Sequence, residues 1–283
     1  MPRVDQKMPA ANSITAGGTI TFRLPIGRRY HVLYLLGLGT LLTVADMTEI
    51  RILANGKVIQ RFSGTHRDQM NQFDGRAAAV VSANAFNLPI PFDRFGILTR
   101  AGEEETALKT GTVDPQSGKV INALSVEIDT AATHAITSMD LYATTSENDA
   151  SNPGPGTVPY CLKSTRDFTS STQYDIADLP RGGVTTQFID RIFMIPSTGT
   201  LDTFKVLANQ YTVFERTDAL NRRAQTDGIR TPIAGQYVID RTEHGYGGDP
   251  FDLRGLNDWR LQLTPSAALT LTAYTHYLGA LGD

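Results

Sequence analysis

Five histidines, His31, His66, His134, His244 and His276, are the side chains best suited to metal binding or proton transfer. No two lie within five positions, so neither an HxH pair nor an HExxH helix exists, and the local ligand spacing of zinc enzymes is absent. No GxSxG nucleophile elbow occurs. The lone cysteine, Cys161, excludes an intrachain disulfide and any multi-cysteine metal site, and reads as a small buried apolar residue. Gly245-Tyr246-Gly247-Gly248 lacks the third glycine of a dinucleotide loop, and Gly111–Lys119 has the wrong spacing for a phosphate loop. Asp249-Pro250-Phe251-Asp252 could hold a cation through oxygens. Its apparent counterpart, Pro91-Phe92-Asp93, favours a structural turn. Glu103-Glu104-Glu105 reads as a solvated loop and Trp259 as core. No catalytic or cofactor-binding residue is assigned, and no metal ligand set can be named.

The elements that carry these residues belong to a globular chain. Of 283 residues, 41% are hydrophobic and 19% charged, with net charge −3. That balance offers no basic excess for coating nucleic acid. The polar stretch Met1–Asn12 has no signal-peptide core, so synthesis in a cytoplasm is expected. The apolar run Val32–Leu42 is shorter than the roughly 20 residues of a membrane helix, and its glycines suit a buried strand pair.

A duplication organises the chain. Ile50-Arg51-Ile52-Leu53-Ala54-Asn55 returns as Phe204-Lys205-Val206-Leu207-Ala208-Asn209, offset 154. Matches flank it in the same order: Leu24-Pro25 with Leu179-Pro180, Thr65 with Thr217, Pro91-Phe92-Asp93 with Pro250-Phe251-Asp252, and Val126–Ile128 with Leu261–Leu263. Ile136-Thr137 pairs with Leu271-Thr272. Collinear anchors separated by loop-sized shifts mark two copies of one unit. On this alignment the offset falls from 159 to 135, which gives the first copy 24 extra residues around Glu103–Ser117, expected to be a surface loop.

Each copy offers about eight short strands and one short helix. Thr19–Leu24 alternates as a strand, and Tyr30–Leu36 reads as one buried on both faces. Leu41–Ala45 suggests another short strand. Asn55-Gly56 between Glu49–Leu53 and Val58–Phe62 is a hairpin signal. Thr65 is the expected cap of a helix with Met70 and Phe73 inward, matched by Thr217–Gln225 with Leu220 and Ala224 inward. The pattern predicts an all-β fold of two tandem eight-stranded jelly rolls, each with a short helix. The expected divisions are an N-terminal arm at 1–17, a first roll at 18–145, a linker at 146–159 and a second roll at 160–283.

A tandem jelly roll with a helix after the Ile50–Phe62 hairpin resembles the double jelly-roll major capsid proteins of membrane-containing icosahedral viruses. The stretch Ile50-Arg51-Ile52-Leu53-Ala54-Asn55-Gly56-Lys57-Val58-Ile59, followed by Leu88-Pro89-Ile90-Pro91-Phe92, is similar to the corticovirus-like phage branch. The second half lacks the Asn-Gly pair, having Asn209-Gln210. The resemblance implies a structural coat protein: a homotrimer of pseudo-hexagonal outline that tiles an icosahedral shell over an internal lipid membrane. Its implied partners are neighbouring trimers, penton proteins and membrane-associated virion proteins, without direct nucleic-acid contact. Arg3 and Lys7, in a flexible arm, are expected near membrane lipid or a neighbour. Some relatives bind calcium, so structural calcium is compatible with the resemblance, but it assigns no ligands here. The rival readings are a carbohydrate- or receptor-binding jelly-roll module and a bicupin-like enzyme. An aromatic content of 8% argues against the first, and the missing histidine pair against the second.

Overall fold

The computed structural model describes residues 2–115, 117–148, 153–246 and 249–282. The first half runs through β1 (Val4–Lys7), β2 (Thr19–Leu24), β3 (Arg28–Gly39), β4 (Met47–Ala54), β5 (Lys57–Phe62), α1 (Gly64–Phe73), β6 (Val80–Ser82) and β7 (Ala85–Pro91). It continues with α2 (Arg100–Glu103), β8 (Leu108–Lys109), β9 (Leu124–Thr130) and β10 (Ile136–Glu147). The second half runs through β11 (Val158–Phe168), β12 (Tyr174–Ile176), β13 (Phe188–Pro196), β14 (Leu201–Ala208), β15 (Tyr211–Thr217) and α3 (Asp218–Gln225). It ends with β16 (Tyr237–Asp240), β17 (Phe251–Asp252), β18 (Trp259–Pro265) and β19 (Leu269–Gly279).

The pairing order is β1-β10-β3-β7 facing β2-β9-β4-β5 in the first half, and β11-β19-β13-β16 facing β12-β18-β14-β15 in the second. Apart from hairpins such as β4–β5 and β14–β15, successive strands such as β1, β2, β3 and β4 alternate between sheets, the jelly-roll order, and alternation turns one side of each strand inward. In β4 the inward residues Ile50 and Ile52 are fully buried, as are Val126 and Ile128 opposite them in β9. The two rolls join edge to edge. β5 meets β11 in parallel at Gln60 and Cys161, which makes one continuous sheet across both halves.

The duplication is visible bond by bond. Asn55 and Gly56 have φ of 52° and 78°, and Asn209 and Gln210 have 48° and 72°. The second hairpin therefore builds the same turn with a glutamine in the left-handed region that glycine occupies in the first. Asn55 Oδ1 accepts from the backbone N–H groups of Asn122 (2.8 Å) and Ala123 (3.1 Å). Asn209 Oδ1 accepts from Asn257 (3.0 Å) and Asp258 (3.2 Å). Both hairpins also carry a register shift at the same place, Ile52/Leu53 and Val206/Leu207. Leu53 corresponds to Leu207 and Ile128 to Leu263.

Other expectations are corrected. The α1 cap is Ser63, whose side chain accepts from His66 N, so the partner of the Thr217 cap is Ser63 and not Thr65. The offset of 154 therefore persists from hairpin to helix. Pro250-Phe251-Asp252 does not match Pro91-Phe92-Asp93. β17 pairs with β13 as β8 pairs with β3, so its counterpart is Ala107-Leu108-Lys109. Ile136-Thr137 is likewise displaced: Tyr142 opposes Tyr34 as Tyr274 opposes Phe193, an offset of 132. Leu41–Ala45 is no strand. It forms a turn and a 3-10 helix, Val44–Asp46, held by Thr43 N–H donating to Asp46 Oδ2 at 2.8 Å.

Four more differences matter for function. The arm 1–17 contains a strand: β1 pairs with β10, with Lys7 opposite Tyr142, as β11 pairs with β19, with Lys163 opposite Tyr274. It is the opening strand of the first roll. The linker packs, since Gly154 and Pro155 are buried and Gly154 N–H donates to Thr112 Oγ1 at 3.1 Å. Residues 149–152 lie outside the described residues. Residues 104 and 106–110 are buried, so the Glu103–Ser117 segment is not a free surface loop. The first half's excess is also smaller than 24 residues: Pro89 to Val126 spans 37 positions and Val238 to Leu261 spans 23, a difference of 14. Leu220 is 56% exposed and Ala224 is exposed as well. The inward residues of α3 are Asn221 and Gln225, both donating to Val238 O at 2.7 Å. Left without a partner, that buried carbonyl would cost about 1–3 kcal/mol.

Candidate functional site: the seam between the rolls

The seam is built by α1. Ser63 starts the helix, and its inward stripe puts Met70 and Phe73 into the core at 0% and 1% exposure. Phe73 meets Phe193 of β13 edge-on, with ring centroids 5.6 Å apart. His66 Nδ1 lies 2.6 Å from the Tyr274 hydroxyl of β19. Gln60 Nε2 donates to Pro159 O at 3.1 Å. Past the helix end, Thr231 N–H donates to Phe73 O at 2.8 Å.

Charge is buried in the same seam. Arg191 Nη1 donates to Asp74 Oδ1 at 2.7 Å, with side-chain exposures of 6% and 0%. Arg94 reaches Asp190 at 2.6 Å, and Arg230 reaches Asp240 at 2.6 Å. Phe95 lies between the guanidinium groups of Arg191 and Arg230, at 5.9 Å and 5.5 Å. Burial pushes the Asp74 carboxyl up, while Arg191 and Arg67 pull it back. Burial lowers Arg67 to about 10, with Asp74 opposing. The Asp74–Arg191 and Arg94–Asp190 pairs span both halves, so separating the rolls would strand charges in an apolar surface.

Each sequence candidate has a structural position. Cys161 is buried, 3.6 Å from His276 Nε2, and burial raises its thiol to about 12, far from a reactive thiolate. Burial, then Arg191 and Arg67, hold His276 well below the ordinary histidine range. Burial and Lys163 lower His66. His134 Nδ1 lies 2.8 Å from Asp46 Oδ1, and His244 is exposed. Trp259 is core, at 2% exposure. Asp252 takes Arg254 at 2.8 Å, and Asp249 O accepts from Arg241 Nε at 2.7 Å, so that turn closes on arginines. Among the described residues, no three His, Cys, Asp or Glu side chains are grouped to hold a metal, and no helix is long and apolar enough to cross a membrane.

One constellation escaped the sequence. His31 Nδ1 lies 3.0 Å from Asp93 Oδ1, and His31 Nε2 lies 2.8 Å from Ser146 Oγ. The pairing is that of a Ser-His-Asp triad. No spacing rule finds residues 31, 93 and 146, which fold together from three separate segments. Its setting is structural, because His31 is 0% exposed and Ser146 is a strand residue of β10. Arg3 extends the network, donating to Asp93 at 3.0 Å and to Glu104 at 2.9 Å. Glu104 also takes Arg29 at 3.3 Å and Arg100 at 2.9 Å. Burial works against the Glu104 charge, yet Arg100 and Arg3 hold its carboxyl below the usual range. The acidic run thus supplies the anchor for β1. Lys7 is likewise engaged, with Asp140 at 2.9 Å, so neither basic residue belongs to a flexible arm.

Family comparison agrees with this construction. A model of the viral coat protein P2 N-terminal domain matches residues 5–146, and one of the viral coat protein P2 C-terminal domain matches residues 158–281. The chain belongs to the viral coat protein P2 family. It is a structural protein of the virion shell, a viral capsid protein and not an enzyme. No curated protein matches it in sequence. In fold it is similar to the major capsid protein P2 from bacteriophage PM2, with TM-score 0.83, 16% identity, and coverage of 100% of this chain and 99% of that one. It is also similar to a chain of the Sulfolobus Turreted Icosahedral Virus structure, with TM-score 0.65, 13% identity, and coverage of 99% and 91%. A chain of the PBCV-1 virus capsid gives TM-score 0.61 at 10% identity, with coverage of 98% and 93%. The double jelly roll is common to the group.

Proposed function

We propose that this coat protein acts as a homotrimer whose six rolls form a pseudo-hexagonal block, and that these blocks tile an icosahedral shell over an internal membrane. The observation that carries the reading is the bond-by-bond equivalence of the two rolls. Two similar, non-identical units per chain, three times over, give six similar edges, and closed rings of this kind also hide free strand edges. The icosahedral virus named for one of the similar structures fits that geometry. The membrane part rests on the resemblance of the first-roll motif, Ile50 to Ile59, to coats of membrane-containing phages.

The experiment is light scattering on the purified protein, followed by electron microscopy of assembled particles before and after lipid extraction. The expected mass is three times the 30.8 kDa chain. A monomer at micromolar concentration overturns the trimer, and particles whose buoyant density is unchanged by lipid extraction overturn the membrane.

A further inference from the structure

β5 and β11 pair at a single position, Gln60 with Cys161. Tyr274 meets His66 of α1, and Cys161 lies beside His276 on the same face of the sheet. Strand alternation therefore turns Tyr160 and Leu162 to the side away from α1. On that side a cavity of about 540 Å³ lies between the rolls. Val58, Ile59 and Val120 of the first roll wall it, with Tyr160, Leu162 and Leu281 of the second. A second cavity of about 430 Å³ continues it toward Leu179 and Pro180, because Val58 and Leu162 line both.

The groove belongs to this place in the fold alone. The second-roll counterpart of Val58 is Thr212, each opposite a leucine of its hairpin. The first-roll counterpart of Leu162 is Gln6, since Lys163 matches Lys7. The two side chains that line both cavities are thus apolar where the other copy is polar. Val58 is 39% exposed, an apolar surface kept open to the groove. The Tyr160 hydroxyl donates to Ala280 O at 2.9 Å and accepts from Gly282 N–H at 3.1 Å, so that wall needs no further polar partner. Charge at the first cavity has one sign. Lys57 and Lys119 line it, and among the described residues no acidic side chain does. Lys119 Nζ donates to Leu281 O at 3.0 Å, which holds its ammonium at the wall. Lys57 is exposed and forms no ion pair among the described residues. The arginines of the second cavity are each paired: Arg51 and Arg61 with Glu49, and Arg166 with Asp178.

We propose that this groove binds a single-chain anionic amphiphile, an alkyl chain ending in a carboxylate or phosphate head. The alkyl chain lies over Val58 and Leu162, and the head pairs with Lys57 and Lys119. A cavity of this size, apolar with a few polar groups at one end, has the ordinary form of a small-molecule site. Both rolls supply its walls, so an occupant ties them together and stabilises the folded chain by mass action. A free fatty acid and a membrane lipid share this chemistry. The inference does not rest on the trimer reading.

The test uses the full chain and sodium dodecanoate below its micelle concentration. Isothermal titration is expected to show one dodecanoate bound per chain, with a raised melting temperature. Decanoate is expected to bind more weakly, by up to about fourfold for each methylene removed. K57E is expected to weaken dodecanoate about tenfold. It should leave the binding of 1-decanol unchanged, because that head carries no charge. V58W fills the groove from an exposed position and is expected to abolish binding of both. Circular dichroism with a thermal melt checks that each variant folds. If V58W does not fold, V58D carries the same expectation, since it sets a carboxylate beside the alkyl chain. Phosphatidylglycerol vesicles separate the two sources. Flotation of the unaltered protein with them, lost in the Val58 variant, supports the proposal with a membrane lipid as ligand. Dodecanoate binding without flotation supports it with a free acid. No saturable binding, or a folded Val58 variant that binds as tightly as the unaltered protein, overturns the groove as a site. A K57E variant that binds dodecanoate unchanged, or loses dodecanoate and 1-decanol equally, overturns the anionic head.

Discussion

Replacing Asp74 by leucine should destabilise the protein by about 3–5 kcal/mol, the usual cost of stranding one partner of a buried ion pair. The structure supports the upper part of that range. Asp74 is fully buried and Arg191 is 6% exposed, so solvent screens neither. Arg67, also buried, would lose the same counter-charge. The pair itself is less secure than its 2.7 Å contact suggests, because Asp74 Oδ2 and Arg191 Nε find no hydrogen-bond partner. Removing both charges, as D74L/R191M, also removes these two unsatisfied atoms. The double variant should therefore recover most of the loss and lie within about 1–2 kcal/mol of the unaltered protein, or above it. Urea unfolding followed by fluorescence of Trp259, the single tryptophan and one buried in the second roll, reads the effect on that roll directly. Far-UV circular dichroism reads both rolls together. A single-variant loss below about 1 kcal/mol, or a double variant whose loss equals the sum of the singles, would refute the view that this pair is the energetic lock of the seam.

Further outcomes are expected elsewhere. His276 is held neutral, with its folded-state pKa depressed below 6.5, so its contribution to stability is full above that value and is lost as pH falls below it. The slope should approach about 1.4 kcal/mol per pH unit and should shrink in H276Q, as measured by urea midpoints between pH 7.5 and 5. Gln210, at φ 72°, should give way to glycine with a gain of about 1 kcal/mol, since glycine carries no Cβ penalty there. A lower melting temperature for Q210G would count against the shared-turn account. E104A should cost about 1–3 kcal/mol and free β1, visible as faster amide hydrogen exchange at residues 4–7. Unchanged exchange would mean that pairing with β10 suffices to hold the strand.

The chain's residue order alone determined that there are two copies of one all-β unit. That information is local: strand alternation, the Asn that closes each hairpin and the short helix that follows it all act over a few residues, so they leave a readable pattern. The same locality explains the errors. Thr65 and Ser63 both have side chains able to cap, and the choice depends on where β5 ends. Leu220 looked inward because apolar residues usually are, but the inward positions of α3 went to amides that satisfy Val238 O. The coat-protein reading came from the hairpin–helix motif of the first half, where the left-handed turn is written with glycine. The second half makes that turn with Gln210, and its signal is correspondingly faint. What the tertiary structure alone decided are the contacts between distant segments: Arg3 with Glu104, His31 with Asp93 and Ser146, Asp74 with Arg191. Such pairs have no fixed spacing, because the distance between their members depends on how many strands and loops intervene. Burial of an ion pair is likewise a property of two surfaces meeting, and in this chain those surfaces come from separate copies of the repeat.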